Sequence, residues 1–210
     1  MGLFSGISSA SKNGGRAPFI SRPGTYLMEV TRYTSGENRG GNPFAQIDLK
    51  VLYVIATASD SNVEAWNEQN PSKAISFEPH AAGQMVSNRV AVKGGDLKSV
   101  HLGEIRSFTE GIAESLVDGD MSQFSEAFGI DYNEDSGFDD AGLEALIEGL
   151  SDGDGTDGAG ALLLVQTDAR VKRDRSGAYV VSGFSCGNKA AKALVEEGKI
   201  TTPDILSGEE

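Results

Sequence analysis

The chain is poor in the residues that most enzymes use. It has one cysteine, Cys186, and two histidines, His80 and His101. A lone thiol forms no disulfide within the chain, and these three residues cannot assemble a zinc site of the usual cysteine and histidine kind. None of the three has an acid or base partner beside it, so nucleophilic hydrolysis has no candidate residues. A phosphate-binding loop is missing too: Gly198 and Lys199 are followed by Ile200, and Ala193 stands where the first glycine of that loop belongs. The carboxylates show no spacing suited to a two-metal centre. These absences predict a protein that is not an enzyme and carries no cofactor and no metal.

Long hydrophobic runs are also lacking. The longest, 159–165, lies among glycines and falls well short of a membrane span. The N-terminus has no basic lead and too short an apolar stretch for a signal peptide. Gly2 resembles a myristoylation start, but Gly6 stands where serine or threonine is wanted. The expectation is a soluble protein of the cytoplasm with no membrane partner.

The third shortage is local. The net charge is −13, yet from Ser107 to Ala169 there is no lysine or arginine and there are 16 of the 31 acidic residues. Outside that segment 18 basic residues face the remaining 15 acids, so the rest of the chain can present a cationic surface.

What is present begins with two strand-like runs. Pro23-Gly24 signals a turn, after which Tyr26, Met28 and Val30 alternate with Glu29, Thr31 and Tyr33. Residues 35–43 are rich in glycine and asparagine, carry Arg39 and end at Pro43, which rules out helix. From Phe44 to Ile55 the alternation resumes: Ala45, Ile47, Leu49, Val51 and Tyr53 face one way, and Gln46, Asp48 and Lys50 the other. Beyond Lys50 both faces are apolar, as in a strand buried on both sides or bent around a barrel.

Residues 1–22 read as an arm, and Asp60 is placed to cap a short helix through Trp66. A third strand covers 85–93. Leu102, Ile105, Phe108, Ile112 and Leu116 then fall on one helical stripe. Met121, Phe124 and Phe128 suggest a second helix ended by Gly129, and 138–150 a third begun by Asp139 and Asp140. Residues 152–158 read as a flexible acidic connector. Two more strands, 161–172 and 178–186, are joined by a turn carrying Arg173 and Arg175, before a last helix at 188–197 and an acidic tail.

Three strands, an acidic helical insertion at 99–158 and two strands predict a mainly β domain over 23–187. The expected fold is a five-stranded, OB-like Greek-key barrel with the insertion between strands 3 and 4; an antiparallel sandwich is the alternative. In such a barrel the loops between strands 1 and 2 and between strands 4 and 5 border the ligand groove. Here those loops bring Arg32 and Arg39, and Arg170, Lys172, Arg173 and Arg175. The two basic turns are expected side by side, with Arg89 on the third strand and with Tyr33, Phe44, Trp66 and Tyr179 as bases for stacking. Tyr53 and Phe184 fit the core better. Asp131, Asn133, Asp135 and Asp139 have spacing like a calcium loop, but Ser136 takes its glycine position and Gly142 its closing glutamate, so a solvated acidic face is the better reading.

The run Pro23-Gly24-Thr25-Tyr26, the turn Arg39 to Phe44 and the strand Ile47 to Leu52 resemble the opening of small bacteriophage replication-region proteins with oligonucleotide-binding-type barrels. Gly103 to Phe108 resembles that family's helix after strand 3, and Arg170 to Tyr179 its closing hairpin. The resemblance spans about Arg22 to Gly187, with the length and acidity of 117–158 as departures. It implies sequence-tolerant binding of single-stranded DNA in replication or recombination, through Arg39 and the turn at 172–175. Replication or recombination proteins are the implied partners of the acidic insertion or tail. The alternative expectation is a virion or assembly protein forming homo-oligomers through its N-terminal arm.

Overall fold

The computed structural model describes residues 22, 24–69, 71, 74–95, 98–117, 119–133, 135–151, 153, 155, 157–171 and 179–182, with 166–171 and 179–182 described by their backbone. The elements in chain order are β1 (Gly24–Glu37), β2 (Pro43–Thr57), α1 (Asp60–Gln69), β3 (Met85–Ala91), α2 (Lys98–Leu116), α3 (Ser122–Phe128), β4 (Tyr132–Asn133), β5 (Gly137–Phe138), α4 (Asp140–Leu150), β6 (Leu162–Val171) and β7 (Tyr179–Ser182). The arm, Cys186, Phe184, the helix expected at 188–197 and the tail lie outside the described residues.

All ladders are antiparallel, and the main sheet has the order β3-β2-β1-β6-β7. The expected closed barrel is corrected here. Among the described residues β3 and β7 do not pair, and β7 joins only the part of β6 that runs past the start of β1. The result is an open antiparallel sheet with helices on it.

One face of that sheet carries the core. Tyr26, Met28, Val30, Ala45, Ile47, Leu49, Val51, Val86 and Val90 pack with Leu102, Ile105, Phe108 and Ile112 of α2 and Leu143, Leu146, Ile147 and Leu150 of α4. The acidic insertion therefore forms the second layer of the fold. Each fully buried leucine or phenylalanine there contributes roughly 1.5–3 kcal/mol. The single stripe expected of α2 underestimates its burial, since from His101 to Ala113 every residue except Arg106 is buried. Two of its buried hydroxyls are satisfied within the helix: Ser107 and Thr109 donate to the carbonyls of Gly103 and Ile105, each at 2.9 Å.

The doubly apolar end of β2 is explained by bulges. The β1–β2 register shifts between Thr25 and Tyr26 and again between Leu27 and Met28, which bends the ribbon and buries Leu52 beside Val51. Leu27, Leu52 and Leu164 form a small cluster on the face away from the helices.

Local chemistry fixes several ends. Ser59, rather than Asp60, caps α1: its carbonyl and hydroxyl accept from Asn62 N–H. Asp60 instead pairs with Arg22 at 2.6 Å. Asp139 caps α4 by accepting from Gly142 N–H at 2.8 Å, and Asn133 accepts from the N–H groups of Asp135 and Ser136 in the β4–β5 turn. Two of the calcium-loop residues are thus occupied in turns and caps. The connector expected to be flexible is anchored at two of its described positions: Gly155 and Gly158 are buried against β1, and Gly155 C=O accepts from Tyr33 N–H at 2.9 Å, while Gly153 and Asp157 are exposed.

Candidate nucleic-acid interface

On the face of β2 and β3 turned away from the helices, alternation brings out Phe44, Gln46, Asp48 and Lys50 from one strand and Ser87 and Arg89 from the next. Arg89 lies opposite Gln46, one pleat from Phe44, and its guanidinium carbon stands 3.7 Å from the centroid of the Phe44 ring. This diagonal contact is worth about 0.5–1 kcal/mol at an exposed site, and it holds a flat cation over an aromatic platform.

Above Phe44 the β1–β2 turn is built by Asn38. Its side-chain oxygen accepts from Gly40 N–H at 2.8 Å and Asn42 N–H at 3.1 Å, while Gly41 takes the left-handed conformation with φ +70°. Arg39 is exposed at the tip of this rigid turn. Arg32 is exposed opposite Asp48 in the β1–β2 ladder. The Asp48 carboxylate accepts from the Ser87 hydroxyl at 2.5 Å and the Gln46 amide at 3.1 Å, so neutral donors hold it. Arg32, Arg39, Lys50 and Arg89 are thus strung along this side of the sheet, Arg89 on the Phe44 ring, Arg32 opposite Asp48 and Lys50 at the far end of the β2–β3 ladder, with Glu29 opposite Lys50 as a further acid on the face.

The predicted site residues divide into groups. Arg32, Arg39, Phe44 and Arg89 share this region. Tyr33 does not: the register shift between Val30 and Arg32 leaves Thr31 as the extra residue and returns Tyr33 to the core face. Its ring is 0 % exposed and its hydroxyl bonds the Thr109 hydroxyl at 2.7 Å. Burial pushes the Tyr33 phenol well above its ordinary range, with the Thr109 bond opposing. Trp66 is half-buried on α1, which leaves the opposite end of β2 from Phe44.

The two basic turns are not side by side. Glu37 pairs with Pro43 at one end of β1, whereas β6 pairs with Gly24 through Thr167 at the other and continues outward to pair Val171 with Tyr179. The β1–β2 and β6–β7 turns therefore leave opposite ends of β1. Arg170 and Tyr179 are placed there by backbone alone, and Lys172, Arg173 and Arg175 lie outside the described residues. Lys50, Gln46 and Ser87 belong to the face but were not singled out from the sequence, although the outward alternation of β2 marks two of them.

No family model, curated protein or solved structure matches this chain.

Proposed function

We propose that the chain is a non-catalytic, sequence-tolerant binder of single-stranded DNA, acting in replication or recombination, and that it uses the outer face of β2 and β3. The observation that carries this reading is Arg89 over the Phe44 ring, with Arg39 in the adjoining turn and Arg32 and Lys50 further along the same side of the sheet. Cations along such a face contact phosphates, and an aromatic with a guanidinium plane stacks on bases without choosing among them. The meeting of two basic turns plays no part in it. The order β3-β2-β1-β6-β7, with helix between β3 and β6, supports reading the open sheet as related to a five-stranded oligonucleotide-binding fold. In that fold the face of strands 2 and 3 is the binding face. Fluorescence anisotropy with single- and double-stranded oligonucleotides at two salt concentrations tests the proposal. Preferential single-strand binding that weakens with salt is expected; no single-strand binding at low salt overturns it.

A further inference from the structure

The three helices of the acidic layer end at one place. Leu116, Phe128 and Leu150 are the last residues of α2, α3 and α4, and all three line a groove of about 500 Å³ with Phe124, Glu148, Gly149 and Asp157. Its walls are set by packing. The Phe128 ring lies so close to Gly149 of α4 that a Cβ there would meet it at 2.4 Å, and it stacks on Phe124 at 5.6 Å between centroids with the planes 3° apart. Phe128 and Leu116 are nonetheless each 39 % exposed, two of the four large exposed apolar residues in the described chain. They converge on this groove.

The electrostatics of the groove have one sign. A helix C-terminus carries about half a negative charge in its unsatisfied carbonyls, which a lysine or arginine in the last turn usually offsets. None of these three helices has a basic residue in its last turn. Glu148 and Asp157 stand at the rim, and no lysine or arginine occurs anywhere between residues 107 and 169. An apolar floor beside Glu148 and Asp157, with no lysine or arginine among the described residues that line it, fits an occupant with large apolar side chains on one side and cations beside them.

We propose that this groove docks a basic amphipathic helix of a partner protein, its apolar side chains seated against Leu116, Phe124 and Phe128 and its lysines or arginines facing Glu148, Asp157 and the helix ends. The site lies in the helical layer, on the other side of the sheet from the Arg89–Phe44 face, and does not depend on nucleic-acid binding.

The test uses the full chain and a fluorescein-labelled peptide of leucine, lysine and alanine, with leucines at i, i+4 and i+7. Saturable binding is expected, weakened about tenfold or more by Leu116→Ser with Phe128→Ser. Glu148→Gln with Asp157→Asn, and added salt, weaken it further. The same peptide with glutamate for lysine does not bind. Both altered residues sit at exposed helix ends, and an unchanged circular-dichroism spectrum shows that the fold is kept. Equal affinity for wild type and the serine variant overturns the proposal, as does equal binding of the acidic peptide. Peptide binding that appears only in Lys189→Glu with Lys192→Glu also overturns it, because the chain's own 188–199 segment then fills the groove. Arg89→Ala leaves peptide binding unchanged, which separates a failure here from a failure of the DNA reading.

Discussion

Arg89 and Phe44 are neighbours across the β2–β3 ladder, held with 3.7 Å between the guanidinium carbon and the ring centroid. The pair combines the two things a single strand offers, a charged backbone and a flat base, and mutation can separate them. Arg89→Ala removes a cation and half of the stack. Single-strand affinity then falls by about 1–3 kcal/mol, and the slope of log K against log salt flattens by about 0.7. Phe44→Ala weakens binding by a similar amount and leaves that slope unchanged. Arg89→Lys keeps the slope but loses part of the affinity, because an ammonium does not stack as a guanidinium does. Salt-dependent anisotropy on the three variants checks this, and an unchanged slope in Arg89→Ala removes Arg89 from the interface.

Tyr33 belongs to the core and serves as the matching control. Tyr33→Phe leaves the Thr109 hydroxyl without its phenol partner at a fully buried site. It costs about 0.5–1.5 kcal/mol of stability and does not change DNA affinity. Adding Thr109→Val recovers part of the loss, since both polar groups are then gone. Denaturant midpoints and one titration of Tyr33→Phe measure both halves; a large affinity loss places its ring at the interface after all.

The same residue shows what was legible in the sequence and what was not. Alternation set the core face of β1 as far as Val30 and of β2 as far as Val51, and the helices at 122–128 and 140–150 were marked by Phe124, Leu143 and Ile147 with their caps. Thr31 carries no mark of a bulge, yet one extra residue there reverses the facing of everything after it and moves Tyr33 from the predicted binding set into the core. Strand order was partly readable, because a hairpin pairs its own strands. That β6 pairs with the first six residues of β1, and so sends its turn away from Arg39, depends on long-range register that periodicity does not encode. The calcium-like spacing at 131–139 arose from a turn and a cap, which use the same short acidic and amide side chains.

Gly155 tests whether the 153–158 stretch is structural. Its φ is +77°, and a Cβ would lie 2.6 Å from Thr34 Cγ2 and 2.8 Å from the Tyr33 carbonyl oxygen. Gly155→Ala therefore combines a left-handed backbone with overpacking against β1 and costs about 1–3 kcal/mol. Gly153 also has positive φ but meets nothing within 4 Å, so Gly153→Ala costs only the backbone strain, about 1 kcal/mol. Urea midpoints for the two variants compare them directly. Equal losses contradict the packing of Gly155 on β1.

Alkaline pH reaches the other anchored end of β1. The Tyr26 hydroxyl donates to the Arg22 carbonyl at 2.6 Å, while Arg22 donates from Nε to the Ala58 carbonyl at 3.0 Å and pairs with Asp60. The ring is buried, and that burial pushes the Tyr26 phenol up to about 12, against the lowering influence of a backbone hydrogen bond from His80 and the Arg22 charge. An unfolded chain gives up this proton near its ordinary pKa of about 10. Between those two values the folded chain holds a proton that the unfolded chain has released, so stability falls as pH rises through the window. Tyr33 acts in the same direction and extends the fall. Tyr26→Phe is less stable than wild type at neutral pH, having lost its bond to Arg22, but its decline between about pH 10 and 12 is shallower because one of the two phenols no longer contributes. Denaturant midpoints across that range measure the difference. Parallel declines in the two proteins mean that the Tyr26 phenol ionises as readily folded as unfolded, and that it does not seal this end of the sheet.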